Sequence, residues 1–580
     1  MGEVKGLGRR RFKGPGVMAV ATAVLLGVVG TTAPTAAAAT GTPSSPPDTR
    51  TSPGSSGSPG TSGAPETSGT PGTRHARAVP GFWDGVWRMD GYGTVLTING
   101  RDLQEYQVTA VSCLKGTSAR RTDAAGPEHG TPNRRATDLR ATSRQATNLQ
   151  ATNRQAADHQ AMDRQAADRQ ATNLQAADRR ATAPHGSGRP VADRYTTADG
   201  DVARLWRAGG RDRAMLHWDG SAGDRRLRRV PALPSVCTRG DEPGTMPKDR
   251  LTTFDVFWQT FEENYPFFAA KGIDWHAVRD RYRPKVRAGV SDEELFAVFR
   301  DMVAPLNDAH VAVFGPGKPF SSHRPGTVPP SEAYDKRVRA HLREHPLKGL
   351  AYREFAKGRI GFAELPGGQG YLRVSGFAGF ADANTFAANS AALDEALDAV
   401  LTRERVARMR GLVIDVRING GGSDTLGLRL AARLTDRPYF AYAKRARNHP
   451  TDPTRFTRPQ PLYVRPAAAP RYTGPVAVLT SGSTVSAGET FTQALMERPG
   501  RTVRIGEPTQ GVFSDVLIRA LPNGWAVGLP NEQFLTRSGH AFDGPGIPPH
   551  IPVPVFTPEE FAHGRDSALA RAVTELSRKR

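Results

Sequence analysis

Ser486 has the sequence setting a nucleophile would need. The run Ser481-Gly482-Ser483-Thr484-Val485-Ser486-Ala487-Gly488-Glu489 follows an apolar stretch, 475–480, and leads into a helix expected to reach about Met496. A serine on such a bend is exposed, and the helix dipole favours a developing anion beside it. The same place suits an N-cap serine, so both readings stay open here. A second glycine turn, Arg417-Ile418-Asn419-Gly420-Gly421-Gly422, follows the apolar strand 411–416. Glycines at a strand end offer exposed N–H groups, the material of an oxyanion hole. Neither turn is a nucleotide site: Thr425 stands where a third glycine would be needed, and no Lys-Ser/Thr follows. Thr484 in place of glycine also argues against a lipase-type elbow. His310, in Leu306-Asn307-Asp308-Ala309-His310-Val311, is a candidate base, although single histidines are mostly structural.

The elements that must position these residues alternate in type. A strand at 370–374, an Ala-rich helix at 384–403, the strand at 411–416, a helix from Ser423 and the strand at 475–480 predict an α/β block over 355–560. Ahead of it, 246–320 reads as a helical block carrying His310. Phe254, Phe257, Trp258, Phe261 and Tyr265 recur at helical spacing, and Ser291 with Glu294 forms a capping box. A basic helix is expected over 561–580.

From 79 to 245, short alternating runs around Trp83, Trp87, Val95, Leu96 and Ile98, and again near Trp218 and Leu227, predict a small β-rich module. A low-complexity pentapeptide repeat interrupts it over 116–192. The inward position of a pentapeptide β-helix would be Leu at 139, 149 and 174 but Arg or His elsewhere, and burying those guanidiniums unpaired is prohibitive. The repeat therefore reads as a polar insertion. Cys113 and Cys237, the two cysteines, lie on either side of it and are expected to form a disulfide, the alternative being two buried thiols.

The chain opens like an export signal: Lys5, Arg9, Arg10, Arg11 and Lys13, an apolar stretch at 17–29, then small residues at 36–39. Cleavage after 1–39 would release the protein from the cytoplasm. Residues 40–78 are a Gly/Ser/Thr/Pro linker. With 580 residues the chain has room for three or four domains. Its formal charge of +21 comes from arginine spread along the sequence. No nucleic-acid signature accompanies it, so no nucleic-acid partner is expected; attraction to an anionic cell envelope fits better. Nothing in the sequence speaks to oligomeric state.

In combination the motifs say more. Asp415-x-Arg417-x-Asn419-x-Gly421-Gly422, Ser486-Ala487-Gly488-Glu489, Gly506-Glu507-x-Thr509-x-Gly511 and Asp543-Gly544-x-Gly546-Ile547-x-Pro549 resemble, in order and spacing, peptidase family S41. The helical block with Asp308-x-His310 looks like the segment preceding the catalytic domain in its tricorn-like branch. Val512 stands where the C-terminal processing branch has its lysine base, which leaves the Ser–His branch. Ala309 replaces a serine of the tricorn core, and Asp543 stands where that branch has Glu. The span after Gly315 is too short for a PDZ domain.

The resemblance implies a crotonase/ClpP-like αβ catalytic domain and an exported serine endopeptidase acting on peptides or unfolded proteins. It assigns Ser486 as nucleophile, His310 as base, Asp543 as the group orienting or charge-balancing the imidazole, and the N–H groups of Gly421 and Ala487 as the oxyanion hole. Asp415, Arg417, Asn419, Gly422 and Glu489 support the motifs. No metal or organic cofactor is implied. Activity would fall below roughly pH 6.5 as His310 protonates. The alternative function on the same fold is a binding protein for apolar ligands or peptides.

Overall fold

The computed structural model describes residues 81–122 and 192–578. The signal and linker readings, and the repeat itself, lie outside them. Alternation builds the first unit: Trp87, Met89, Leu96, Ile98, Leu103, Tyr195, Leu205, Leu216 and Leu227 point inward and are buried together. Their strands close into an eight-stranded antiparallel barrel running from Gly85–Met89 to Arg225–Val230. A barrel of that size is filled by its own side chains. Strand Cys113–Thr122 continues into the stretch read as insertion, so 116–122 are barrel rather than repeat. The correction has a simple cause: Lys115 to Thr122 is too polar to look like a strand, but antiparallel pairing with Asp102–Val108 satisfies its backbone.

Cys113 and Cys237 are joined as a disulfide, with Cα atoms 4.9 Å apart. The bond ties the start of one barrel strand to the short helix Ser235–Thr238 that follows the last. Replacing both cysteines by serine should lower stability by about 2–5 kcal/mol, readable in a urea titration of the otherwise unchanged chain. A loss under about 1 kcal/mol would show that the barrel does not depend on the staple.

The helical block follows. Helix Arg250–Asn264 buries Phe254, Phe257, Trp258 and Phe261, and Ser291 with Glu294 closes the expected capping box ahead of helix Asp292–Val303. The chain then turns into strand Ala312–Phe314, which pairs with Ala526–Pro530 of the α/β block. His310 is thereby carried against a segment some two hundred residues downstream.

The α/β block is built on a seven-stranded sheet. Five neighbouring strands run parallel: Gln369–Val374, Gly411–Asp415, Val476–Thr480, Thr502–Gly506 and Ile551–Pro552. Strand Gly411–Asp415 shows why a buried parallel strand is apolar throughout. Leu412 and Ile414 face a core shared with helices Phe386–Val400 and Asp424–Ala431, while Val413 faces the core under helix Ser567–Ser577. No helix among the described residues is long and apolar enough to cross a membrane.

Candidate active site

Two adjacent parallel strands place the two glycine-rich turns side by side. The turn after Gly411–Asp415 lies against the turn after Val476–Thr480, joined by Asn419 N–H to Ser483 C=O (3.0 Å) and Val485 N–H to Asn419 C=O (2.9 Å). Loops beyond the carboxyl ends of parallel strands are where α/β proteins bind ligands.

Ser486 sits at φ 57° and ψ −119°, immediately before helix Ala487–Ala494. Such a conformation is costly for a residue with a Cβ and persists only where its surroundings enforce it. Glu489 does much of that enforcing. Its Oε2 accepts the Ser486 N–H (3.1 Å) and the Val512 N–H (2.9 Å), and its Oε1 accepts the Gly511 N–H (2.6 Å). Burial pushes its carboxyl up to about 7 against the pull of these donors. Val512 C=O in turn accepts the Ser486 N–H at 3.1 Å. The Gly506–Gly511 motif is thus a backbone clamp on the serine. Asp543-Gly544-x-Gly546 clamps the other side: Gly544 N–H bonds Gly511 C=O (2.8 Å), and a Cβ on Gly546 would lie 2.0 Å from Thr509 O.

Gly421 lies directly beside the serine; a Cβ there would come 2.7 Å from Ser486 Cβ. Its N–H, however, donates to Asn419 Oδ1 at 3.0 Å in a buried bond, while Asn419 Nδ2 donates to Val374 C=O (2.9 Å). Gly421, expected as an oxyanion donor, thus has its hydrogen on Asn419 here. Among the described residues, no acceptor takes the Gly422 N–H. Ala487, as the first residue of its helix, likewise has no intrahelical acceptor.

His310 and Ser486 line one cavity of about 330 Å³, together with Gly420, Gly422, Ser514 and Asp515. The barrel closes its far side with Asp219, Gly220 and Ser221. Ser423 Oγ bonds Gly220 C=O (2.6 Å) and Thr425 Oγ1 bonds Ser221 C=O (3.0 Å), fixing that edge. Sequence reading missed this contribution, for which no local signal exists.

His310 is only 3% exposed, and its Nδ1 has no hydrogen-bond partner. Burial lowers its pKa; Asp308 first, then Asp515 and the Ser514 main chain, oppose the shift. Asp308 braces the segment: Oδ1 accepts the His310 N–H (3.0 Å) and Oδ2 the Tyr265 hydroxyl (2.8 Å). Asp543 does not fill the role expected of it. No hydrogen bond or ion pair joins it to His310, and its carboxyl accepts the Phe513 N–H at 3.4 Å. Burial, then Asp308 and Glu489, drives its pKa well above the usual carboxylate range, because neighbouring buried carboxyls cannot all ionise. That shift disfavours the charged form a counter-ion to the imidazolium would need. Asp308 was quoted within the motif; Asp515, four residues past Gly511, carried no signal of its own.

The remaining motif residues are structural. Arg417 is fully buried, with Nε and Nη2 on Asp415 (3.0 and 2.7 Å) and Nη1 and Nη2 on Asp566 (2.7 and 2.8 Å). Its guanidinium stacks 4.1 Å from the Phe556 ring centroid. Asp566 is also the N-cap of helix Ser567–Ser577, so the motif pins that helix beneath the site. Among the described residues no cluster of His, Cys, Asp and Glu could hold a metal ion.

Comparison with known proteins gives family matches over two segments. Residues 368–553 match the model of peptidase family S41, and residues 246–304 that of the tricorn protease C1 domain. Together these define a serine-type peptidase. Within the chain, the segment 368–553 is thus similar to family S41 peptidases, and the segment ahead of it to the tricorn C1 domain. No curated protein matched it by sequence. Among solved structures, it is similar to a chain from Parabacteroides merdae ATCC 43184 described as a candidate peptidase, at 26% identity and TM-score 0.48, covering 58% of this chain and 98% of that one. CPAF complexed with lactacystin follows at 13% identity and TM-score 0.40, covering 57% and 97%. The photosystem II D1 C-terminal processing protease has 16% identity and TM-score 0.32, covering 55% and 98%. The family matches carry the assignment.

Proposed function

We propose that this protein is an exported serine endopeptidase that cleaves peptides or unfolded proteins through a Ser486 acyl-enzyme. One observation carries the reading: Ser486, on a strained bend, and His310 open onto the same cavity at the carboxyl edge of the sheet. In this mechanism Ser486 Oγ attacks the scissile carbonyl, and His310 takes its proton and later returns it to the leaving amine. The unclaimed N–H groups of Gly422 and Ala487 receive the oxyanion, with Gly421 shaping the turn. Asp308 and Asp515 supply negative charge to the imidazolium. The crotonase/ClpP-like description of the domain belongs to this reading. Digestion of an unfolded model protein by the mature chain, beside Ser486→Ala, tests it by mass spectrometry. Cleavage by neither protein, with both folded, would return the reading to a binding protein.

Export rests on the charged and apolar pattern of 1–39, and a disulfide suits an oxidising compartment. N-terminal sequencing of protein recovered outside the producing cell should begin near residue 40; an intact Met1 there would remove the cleaved-signal reading.

The pH dependence follows from the direction of the His310 shift. A base works when neutral, and burial favours the neutral ring, so the acid limb of kcat/KM should fall below pH 6.5 rather than at it. Activity should persist at pH 6.5 and disappear only in more acidic buffer. An acid limb at or above 6.5 would mean that the carboxylates outweigh burial.

A further inference from the structure

We infer that the groove between the barrel's outer face, the end of helix Arg250–Asn264 and the loop after strand Tyr439–Ala446 is a docking site for an acidic, partly apolar peptide segment. It is a cavity of about 810 Å³ that shares no lining residue with the one around Ser486. Volumes of roughly 300–1,000 Å³ are typical of ligand pockets.

The barrel register creates its charge. Arg88 pairs directly with Arg228 on one neighbouring strand, and Arg228 with Arg213 on the next, so three arginines stand abreast on the outer face. Leu227 and Ala214, adjacent along those strands, face the barrel core instead. Like charges directly opposed across strands destabilise a sheet. Among the described residues, none of the three makes an ion pair or side-chain hydrogen bond to offset this. Arg226 and Arg239 add to the same wall.

The opposite wall holds Arg447, which is only 3% exposed. Its Nη1 donates to Tyr265 C=O (3.0 Å), while Nε and Nη2 are buried without any hydrogen-bond partner. A guanidinium with two unmet donors is a costly thing to bury. Two acids line the groove, Asp90 and Glu263. Glu263 lies within the field of Arg447 and Arg88, but its Oε1 is already engaged by the Ala110 N–H (2.6 Å) and Gln259 (2.8 Å). Cations therefore remain in excess. Guanidinium forks match carboxylates, and neighbouring strands are spaced by about 4.8 Å, within reach of successive acidic side chains of an extended chain. Val95, Val108 and Met215 on the same surface would take its apolar residues.

Only the idea that this segment belongs to a substrate rests on the peptidase reading; binding itself does not. The test uses the full mature chain carrying Ser486→Ala, so that nothing is cut. A fluorescein-labelled hexapeptide, Asp-Val-Glu-Leu-Asp-Val, is titrated by anisotropy beside its Asn/Gln counterpart. The acidic peptide should bind at least tenfold tighter, and weaken between 50 and 200 mM salt. Arg88→Gln with Arg228→Gln, on the exposed strand face, should weaken it at least tenfold, and Arg447→Met should weaken it as well. Equal binding of the two peptides, or an unchanged Kd in the Arg88/Arg228 variant with its circular dichroism intact, would overturn the inference. So would displacement by a short single-stranded oligonucleotide or inorganic pyrophosphate at the same concentration as unlabelled peptide, since that marks a general polyanion site.

Discussion

Ser486→Ala should reduce kcat/KM for a peptide substrate by about 10⁴- to 10⁶-fold while leaving the fold untouched. The expectation is large because in the proposed mechanism nucleophile and base act as a unit, and the structural cost is small because of how the serine is held. The bend is enforced through main-chain bonds: the Ser486 N–H to Val512 C=O and Glu489, and the Gly511 and Val512 N–H groups to the same carboxylate. Alanine keeps all of these and removes only Oγ. The thermal midpoint should therefore move little. Adding His310→Ala to the variant should cost almost nothing further, since either loss alone already disables proton transfer from the nucleophile. Residual activity in Ser486→Ala within tenfold of the parent would remove Ser486 from the chemistry.

Arg417→Met should be the most damaging substitution for stability, at about 3–5 kcal/mol. The side chain satisfies two buried carboxylates at once, so its loss strands Asp415 and Asp566 without a counter-charge. For a domain of this size the midpoint of thermal unfolding should drop by roughly 6–20 °C. The cause can be separated from lost packing. A triple variant, Asp415→Asn with Arg417→Met and Asp566→Asn, removes the stranded charges while an amide still caps the final helix, and should recover much of the loss. The pH dependence has a definite sign as well. Burial alone would raise the Asp415 pKa, but the Arg417 charge and hydrogen bonds hold it below the ordinary value. Its contribution is thus present above the unfolded carboxylate range near 4 and fades as pH falls through the lower folded value. A loss below about 1 kcal/mol in the single variant would show that the network is not what anchors the helix.

Much of the architecture was legible because it depends on local pattern. The strand Gly411–Asp415 and the helix started by Ser291 were readable from burial on two faces and from a capping box. The barrel was foreshadowed by the alternation around Trp87 and Leu96, although its closure and the strand character of 116–122 were not, since pairing partners far along the chain decide them. The site divides in the same way. Ser486, its glycine neighbours and Glu489 lie within short motifs, so type and spacing pointed to them, although Gly511 and Val512, which hold the serine and the glutamate, come from a separate motif.

Three features were settled only in three dimensions. Asn419 takes the Gly421 N–H and leaves Gly422 unclaimed, because side-chain direction within a turn is not written in its composition. Asp543 takes the Phe513 N–H and makes no bond to His310, and burial beside Asp308 and Glu489 raises its pKa, because a carboxyl's environment depends on which other groups the fold gathers around it. His310 reaches the serine's cavity through the pairing of Ala312–Phe314 with Ala526–Pro530, and the barrel's 219–221 turn closes that cavity from a separate unit. The sequence by itself determined which residues could react and what local turns would present them. The tertiary structure decided which of them meet and what charges surround them, because distance and dielectric are properties of the packed chain and not of any segment of it.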